Sequence, residues 1–353
     1  MSRRKLNRRQ QWQAEKNQSE RTARSFNKTR DLSRKNQSGE LSSEQQGLVI
    51  CRYSKHFEVE ALEGDDLGKV HQCTTRTNLG SIVAGDKVIW RAGSDLTGVI
   101  VSRLDRSSIL ERPDNFGKLK PVAANIDQML IVIACEPAPQ ANLIDRYLVA
   151  AELMNVRAVI VLNKADLIST SNEAQFETLL DVYRRLDYPA VKIVSSRHQT
   201  PQLDALPELI DQHTSIVVGQ SGVGKSSLIN ALLPSANLAI GDLSETTREG
   251  THTTTKAKLL HLPAGGRLID SPGIRDFSLW HIDPLQLQHG FVEIAELIGH
   301  CRFRDCKHES EPGCAVLAAV ESGDIQAPRF ASYLRIKEAV LDQQSRGLNL
   351  AGS

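Results

Sequence analysis

The chain has 353 residues, enough for two or three domains, and its content of 40% hydrophobic and 24% charged residues is typical of an ordinary soluble protein. Its longest apolar run, Met129 to Cys135, is too short to cross a bilayer, which takes about 20 residues, and the N-terminus lacks the apolar core of a secretory signal. Three of the six cysteines crowd between 301 and 314, which favours a metal site in a reducing compartment, the cytoplasm, over a disulfide framework.

The first 40 residues are strongly basic. They contain twelve Lys or Arg and four Asp or Glu, a net charge of +8, so the remainder of the chain carries −7. The segment is rich in Gln, Asn and Ser and has too few apolar side chains to fold alone. We interpret residues 1–46 as a disordered basic arm suited to nucleic-acid phosphates. A solvated tail without a partner stays open, whereas Glu15, Glu20 and Asp31 disfavour an organelle transit peptide.

Five short runs of alternating apolar residues follow, separated by Gly and Asp. Five strands in so few residues predict a small closed barrel over 47–112, of the OB-fold type. Such barrels often bind single-stranded or looped RNA, although a barrel can also serve only as a protein-docking spacer. Residues 111–125, which contain two prolines, are predicted to form a linker.

From residue 126 the pattern changes to strands that alternate with helices, which predicts a parallel, doubly wound sheet. We assign this α/β domain to residues 113–284, and Asn142 is the expected N-cap of its first helix. Beyond residue 285 the strand pattern fades and a Cys/His cluster lies between two predicted helices. The predicted strands are 126–134, 156–163, 190–195, 214–219, 256–262 and 266–270, and the predicted helices are 143–154, 172–186, 203–212, 226–233, 290–299 and 332–344.

A glycine-rich loop follows the strand predicted at 214–219. Its sequence, GQSGVGKSS, fits G-x-x-x-x-G-K-[ST] between a strand and a helix, the context that a phosphate loop requires. Glycines let several backbone N–H groups point at one phosphate, and the helix N-terminus adds positive potential. We predict that Lys225 reaches the β- and γ-phosphates and acts in catalysis, and that Ser226 ligates Mg²⁺. The nucleotide contacts predicted in this loop are Gly219, Gln220, Ser221, Gly222, Val223, Gly224, Lys225, Ser226 and Ser227.

A second motif, NKAD, stands at the carboxyl end of the strand predicted at 156–163, where open α/β sheets bind ligands. The Asp166 carboxylate can accept hydrogen bonds from the guanine N1–H and 2-amino groups, which adenine lacks, and the stem of Lys164 can lie over the base. Alone, NKAD could be a helix N-cap, but together with the phosphate loop it predicts guanine specificity. The residues predicted around the base are Asn163, Lys164, Asp166, Ser195 and Ser196, the two serines through backbone N–H groups.

Two further segments predict nucleotide-dependent switches. In DSPG, residues 270–273, Asp270 suits an indirect contact with Mg²⁺ and the Gly273 amide suits the γ-phosphate. In the polar segment ETTREGTHTTTKA a threonine can complete Mg²⁺ coordination when GTP is bound, and we predict Thr254, with Thr253 as the second choice. Polar, glycine-containing segments of this kind are typical of loops that order on nucleotide binding.

The residue after Gly273 is Ile274, where Ras-like switches carry a glutamine that orients the attacking water. Isoleucine cannot do this, so another group must, or hydrolysis is slow until a partner helps. His252 is the best candidate for the catalytic group, and the alternative that it packs or contacts a partner stays open.

The order of these motifs is reversed relative to most proteins that carry both, since NKAD precedes the phosphate loop. Joining the usual ends and cutting between the DSPG and NKAD strands produces this order, a circular permutation. The site survives because the ligand requires only that the loops meet in space. The DSPG segment then leads directly into the C-terminal region.

The cysteine cluster supplies four soft ligands within 14 residues, which matches a tetrahedral Cys₃His zinc site. Because all four ligands come from the protein, the site would be structural, and the alternative is free thiols. Arg302, Arg304 and Lys307 surround it and suggest an RNA-facing surface. The predicted zinc ligands are Cys301, Cys306, His308 and Cys314.

Together these features resemble the circularly permuted small-subunit-dependent GTPases of bacteria, also called ribosome small subunit-dependent GTPase A. The resemblance covers nearly the whole chain after the arm and includes GQSGVGKSS, NKAD, HTTT, DSPGIRDF and the Cys/His set. It implies late maturation of the small ribosomal subunit, with GTP hydrolysis stimulated by that subunit and release afterwards. The family also has a hydrophobic residue where Ile274 stands, and the histidine before the threonines is its proposed catalytic group, which implies that role for His252.

We therefore predict a multidomain protein with a basic arm (1–46), an OB-fold β-barrel (47–112), a circularly permuted α/β P-loop GTPase domain (113–284) and an α-helical zinc-binding domain (285–353). It would use GTP with Mg²⁺ and one structural Zn²⁺, and bind the small ribosomal subunit and its rRNA. We expect a monomer in the cytoplasm without membrane contact. The alternative function is an RNA-binding zinc protein that uses GTP only as a ligand sensor.

Overall fold

The computed structural model describes residues 41–75, 79–114, 118–195, 200–203, 205–234, 257–270 and 284–350, with the backbone alone for 343–350. The chain divides into two compact units. The first comprises residues 1–111, 119–125 and 256–260, and the second comprises 112–118, 126–255 and 261–353. Among the described residues, no helix combines the length and apolar character needed to cross a membrane. Residues 1–40 of the predicted arm lie outside the described part.

The first unit contains a closed five-stranded barrel, which confirms the predicted OB-type fold. Its sheet order is β1-β2-β3-β5-β4, and pairing of β1 with β4 closes it. The β3–β5 pair is parallel and the other pairs are antiparallel. Alternate residues of β5 are buried, because successive side chains of a strand point to opposite faces. The barrel strands are β1 (Gln45–Arg52), β2 (Phe57–Ala61), β3 (Val70–Thr75), β4 (Lys87–Ala92) and β5 (Thr97–Arg103).

The segment predicted to be a linker instead forms a two-stranded sheet of β6 (Ile109–Pro113) and β7 (Leu119–Ala124). The Asp114 carboxylate accepts a hydrogen bond from the Lys118 amide at 3.0 Å, next to the facing ends of these strands. The linker prediction was wrong because it rested on the prolines. A two-strand ribbon tolerates proline, since each strand has an edge without ladder hydrogen bonds.

The second unit contains the predicted parallel sheet, in the order β10-β9-β8-β11-β13. Every residue of the central strand β8 is buried, as expected for a parallel strand covered on both faces. The strands of this sheet are β8 (Gln128–Ala134), β9 (Arg157–Asn163), β10 (Ala190–Lys192), β11 (Thr214–Val218) and β13 (Arg267–Asp270). The remaining strand, β12 (Lys258–His261), belongs mostly to the first unit.

In the described part of the chain, four helices accompany this sheet: α1 (Ala141–Leu153), α2 (Glu173–Arg184), α3 (Leu206–Ile210) and α4 (Lys225–Leu232). The predicted N-cap, Asn142, is not the cap, because α1 begins at Ala141, two residues earlier than predicted, and Gln140 occupies the N-cap position. The Asn142 Oδ1 atom instead accepts a hydrogen bond from the Ser332 hydroxyl at 3.2 Å. A tertiary partner therefore uses the side chain that the local pattern assigned to capping.

The C-terminal part of the second unit is helical. The helix predicted at 290–299 is shorter than expected, and the one predicted at 332–344 lies inside a longer helix that begins earlier. The helix at 315–322 had no counterpart in the sequence pattern. The elements are α5 (Pro284–Leu287), a 3₁₀ turn (Gln288–Gly290), α6 (Val292–Ala295), α7 (Ala315–Ser322) and α8 (Ala327–Leu350).

Candidate nucleotide and metal sites

The phosphate loop runs from the end of β11 into the first turn of α4. Gly219 has φ = 141° and Gly224 has φ = 93°, conformations that L side chains rarely adopt. A β-carbon on Gly219 would collide with the carbonyl oxygen of Val132, and one on Gly224 would collide with the side-chain amide of Asn163. Glycine is required at both positions, and the loop therefore packs directly against β8 and the NKAD motif.

The Lys225 side chain folds over this loop. Its Nζ atom donates hydrogen bonds to the carbonyl oxygens of Gly219 and Gln220, each at 2.6 Å. Ser226 and Ser227 follow in the first turn of α4 and are half-buried. The ammonium charge, the α4 N-terminus and the loop amides therefore gather positive potential where a phosphate would bind.

Asn163 joins three loops that are far apart in the sequence. Its Nδ2 atom donates to the Val223 carbonyl oxygen in the phosphate loop at 2.9 Å. Its Oδ1 atom accepts from the Ser195 amide at 3.2 Å and from the Ser195 hydroxyl at 2.9 Å. Asn163 is 1% exposed, so these bonds are shielded from water. The NKAD and phosphate loops thus meet as the permuted order requires.

The other NKAD residues differ from Asn163 in their contacts and exposure. Lys164 adopts φ = 58°, and its Nζ atom donates to the Glu136 carbonyl oxygen at 2.7 Å. Asp166 lies in a 3₁₀ turn and is exposed. Burial and then the negative charge of Asp166 raise the pKa of Cys135, the residue that follows β8. Sequence reasoning missed Glu136, and no local pattern indicates it because its backbone carbonyl makes the contact.

Asp270 ends β13, which pairs in parallel with β11, the strand that leads into the phosphate loop. The structure therefore places this predicted residue at the same edge of the sheet as the loop. The other predicted site residues lie outside the described part of the chain: Ser196, His252, Thr253, Thr254 and Gly273.

The four predicted metal ligands come together in the C-terminal part. One ligand atom from each residue lies within 4.8 Å of all the others. The His308 Nδ1 atom is 3.4 Å from the Cys314 sulfur and 3.6 Å from the Cys301 sulfur, and these two sulfurs are 3.9 Å apart. Cys301, Cys306, His308 and Cys314 can therefore hold one metal ion.

The electrostatics of the cluster prepare part of it for a cation. Burial opposes ionisation of Cys301, but the Ala315 and Val316 amides donate to its sulfur, and its pKa lies below the usual value. Burial lowers the pKa of His308, which keeps the imidazole neutral as a metal ligand must be. Burial raises the pKa of Cys306 to about 12, so metal binding at this thiol would release a proton.

The loop that carries these ligands is tied by its own side chains. The Glu311 carboxylate accepts from the amides of Lys307 at 2.8 Å, Glu309 at 2.9 Å and Ser310 at 3.1 Å. These hydrogen bonds lower the pKa of Glu311 to about 2. The Lys337 ammonium of α8 donates to the Lys307 carbonyl oxygen at 2.8 Å. These contacts support the loop that carries the ligands.

Gln288 is a supporting residue that sequence reasoning missed. Its Oε1 atom lies 3.3 Å from the His308 Nε2 atom and can accept that N–H. The hydrogen bond leaves the Nδ1 lone pair of His308 directed at the three sulfurs, as is usual for metal-ligating histidines. Gln288 lies 20 residues before His308, so the ligand spacing does not indicate it.

A phosphate loop between a strand and a helix, joined through a buried asparagine to an NKAD motif on the sheet, defines a P-loop GTPase with a permuted motif order. The chain matches the sequence profile of the RsgA GTPase family over residues 103–280. It is 52% identical to the small ribosomal subunit biogenesis GTPase RsgA of Marinobacter nauticus, over 99% of this chain and 100% of the relative. The corresponding protein of Hahella chejuensis is also 52% identical, with the same coverage.

Solved structures give the same classification. YjeQ from Thermotoga maritima is 31% identical with a TM-score of 0.70, covering 84% of this chain and 99% of that protein. YloQ, described as a circularly permuted GTPase, is 30% identical with a TM-score of 0.68, covering 88% of this chain and 98% of that protein. The chain belongs to the RsgA GTPase family, and the predicted permuted GTPase fold is confirmed.

Proposed function

We propose that this GTPase is an assembly factor that binds the small ribosomal subunit in its GTP form and leaves after hydrolysis. The junction at Asn163 carries the nucleotide part of this proposal, because it joins the base-reading and phosphate loops in one site. Asp166 would read guanine, with the Lys164 stem over the base and the loop at Ser195 and Ser196 beside it. Lys225 and the loop amides would hold the β- and γ-phosphates.

Magnesium would bind with GTP. Ser226 and Thr254 would ligate it, with Thr253 as the second choice, while Asp270 would act through a bound water. The Gly273 amide would contact the γ-phosphate. His252 would orient the attacking water, because Ile274 stands where Ras-like switches carry a glutamine for that role. The position of Asp270 at the same sheet edge as the phosphate loop supports this arrangement.

The metal of the Cys/His cluster would be one structural zinc ion. A tetrahedral zinc site with bonds of about 2.3 Å to sulfur places its sulfurs about 3.8 Å apart, and the Cys301 and Cys314 sulfurs lie 3.9 Å apart. Three thiols and an imidazole are soft ligands that suit zinc better than magnesium or calcium. The four protein ligands complete the coordination, so the zinc would have a structural role and stabilise the fold around it.

The partner would be the small ribosomal subunit with its rRNA, which the names of the relatives from Marinobacter and Hahella support. The +8 arm would contact rRNA phosphates, with the barrel and the basic residues around the zinc loop as further RNA surfaces. We propose that the protein works as a monomer in the cytoplasm, where ribosomal subunits are assembled. We also propose that the arm ends at residue 46, the barrel at 112 and the GTPase domain at 284.

Adding purified small subunits should raise the multiple-turnover GTPase rate by at least about tenfold, equivalent to 1.4 kcal/mol of barrier. The reason is that Ile274 cannot orient the attacking water, so hydrolysis would stay slow until the small subunit helps His252 to do so. Phosphate release is measured with no ribosomal particle, with small subunits and with large subunits. Equal rates in all three reactions, or stimulation by large subunits alone, would contradict the partner.

Asp166→Asn should weaken binding of guanine nucleotides by about 10²-fold, since two charge-assisted hydrogen bonds, each worth about 1.5–3 kcal/mol, are lost or weakened. The affinity for xanthine nucleotides should fall much less, because the new amide can donate a hydrogen bond to the xanthine 2-oxygen. Fluorescent GDP and XDP titrations measure both affinities. Asp181→Asn, an exposed carboxylate paired with Arg184, is the matched control. Undiminished preference for GDP over XDP in Asp166→Asn would remove the base-reading role.

A further inference from the structure

A buried cation links the C-terminal helices to the α/β part of the second unit. Arg329, at the start of α8, donates from Nη1 to the Asp145 carboxylate of α1 at 2.6 Å. Its Nε and Nη2 atoms donate to the two carboxylate oxygens of Glu293 in α6, at 2.7 and 3.0 Å. The side chains of Arg329, Asp145 and Glu293 are 2%, 1% and 8% exposed. We refer to these three residues as the Arg329 triad.

Aromatic residues complete the surroundings of the triad. The Tyr183 hydroxyl of α2 donates to the same Asp145 oxygen at 3.1 Å, and the Arg329 guanidinium lies 4.6 Å from the centre of the Phe291 ring. Such a group contributes little net stability, because desolvation offsets the attraction between the charges. Its geometry, however, is satisfied in only one arrangement of α1, α6 and α8, so the triad specifies the orientation of α1.

The face of α1 that meets the C-terminal helices is continuous. Asn142, Asp145 and Val149 lie three and four positions apart and therefore share one face. Asn142 contacts Ser332, Asp145 contacts Arg329, and Val149 packs so closely on Gly290 that a side chain there would lie 2.7 Å from it. The C-terminal helices therefore contact α1 along two of its turns.

Other residues of α1 face the phosphate loop. Leu143, Ile144 and Tyr147 line a small apolar pocket whose other walls include Gly219 and Gln220. Leu143 and Tyr147 lie four positions apart and therefore share a face. Leu143 is two residues from Asp145, a rotation of about 200°, so this face is opposite to that of Asp145. One helix therefore carries the triad on one side and faces the phosphate loop with the other.

We propose that Arg329 is a positioning residue for the GTPase reaction. It would fix the position of the phosphate loop by fixing the position of α1. It touches no nucleotide. It holds Asp145 and thereby fixes the rotation of α1 about its axis and its position along that axis. The opposite face of α1 borders Gly219 and Gln220. The proposal rests on the phosphate loop holding nucleotide, as proposed above.

The test is the release of fluorescent GDP from Arg329→Lys in the full-length protein. Lysine keeps the charge, but a point charge cannot span the carboxylates that the planar guanidinium bridges. We expect about three- to tenfold faster release, the effect typical of residues that modulate a distant site. For GTP hydrolysis we expect a changed KM with a smaller change in kcat. Melting temperature and metal content are measured in parallel.

The matched control is Arg106→Lys in the barrel. Arg106 also pairs bidentately with a buried carboxylate, Asp86, at 2.7 and 2.8 Å, and its side chain is 10% exposed. It should melt at a lower temperature and release GDP at the wild-type rate. Wild-type release and KM in Arg329→Lys, with lowered melting alone, would reduce the triad to a structural role and overturn the proposal.

Asp145→Asn is the second variant, for the case that Arg329→Lys does not fold cooperatively. It removes one charge from the triad while keeping the shape of the side chain, and it is judged by the same release rate. Failure of the nucleotide site itself is distinguishable, because the wild-type protein would then bind no fluorescent GDP. Failure of the positioning role leaves wild-type binding intact and the variants unchanged.

Discussion

Replacing Lys225 with alanine is expected to lower the rate of GTP hydrolysis by about 10²- to 10³-fold, the effect of removing one preorganised donor from a charge-stabilising site. In phosphoryl transfer the protein acts mainly by positioning and by neutralising negative charge. The Lys225 ammonium already lies over the phosphate loop, 2.6 Å from two of its carbonyl oxygens. Its charge is therefore in place before the reaction and needs little reorganisation.

Single-turnover phosphate release measures this effect, because it separates chemistry from GDP release. Lys192→Ala is the matched control, since Lys192 belongs to the same sheet and pairs with Glu177 at the surface. That variant should hydrolyse GTP at the wild-type rate. A Lys225→Ala protein that retained more than about a tenth of the wild-type single-turnover rate would exclude a phosphate contact of this kind.

Replacing Cys306 with serine is expected to release the bound metal and to unfold the C-terminal part locally. Structural zinc contributes about 10–16 kcal/mol to small zinc domains, as much as the roughly 5–15 kcal/mol that stabilises an entire protein. The loop from Cys301 to Cys314 has few buried apolar side chains of its own. The parallel sheet should persist, because its core is formed by residues of β8, β9 and β13 together with helices α3 and α4.

Metal content and hydrogen exchange test this together. Cys306→Ser should lose about one zinc per chain, and amides of α7 should lose protection while those of β8 keep it. Cys51→Ser is the matched control, because it removes a buried thiol of the barrel that lies outside the cluster. Full zinc content in Cys306→Ser would falsify its role as a ligand, and lost protection in β8 would show that the metal supports the whole unit.

Most of the fold could be predicted because its signals are local. Strands β3 and β5 of the barrel alternate in burial, β8 is a continuous apolar run, and glycines punctuate the turns. The predictions that failed also relied on local signals, which tertiary contacts overrode. Prolines indicated a linker where β6 and β7 pair, and a good capping residue, Asn142, instead bonds to Ser332 on α8.

The sequence by itself determined the chemistry of the sites. Phosphate, guanine and metal binding each require particular residue types at short spacings, and such spacings are legible in GQSGVGKSS, in NKAD and in the cluster from Cys301 to Cys314. The metal ligands needed no further information, since 14 residues of one loop bring them together.

Only the tertiary structure decided how these parts are connected. Asn163 meets Val223 across 60 residues, Arg329 meets Asp145 across 184, and Lys164 bonds to a backbone carbonyl that any residue would offer. Contacts at such separations leave no periodic trace in the chain, because they depend on how whole strands and helices pack. The permuted order of the motifs is visible in the sequence, but it is the sheet that brings the separated loops into one site.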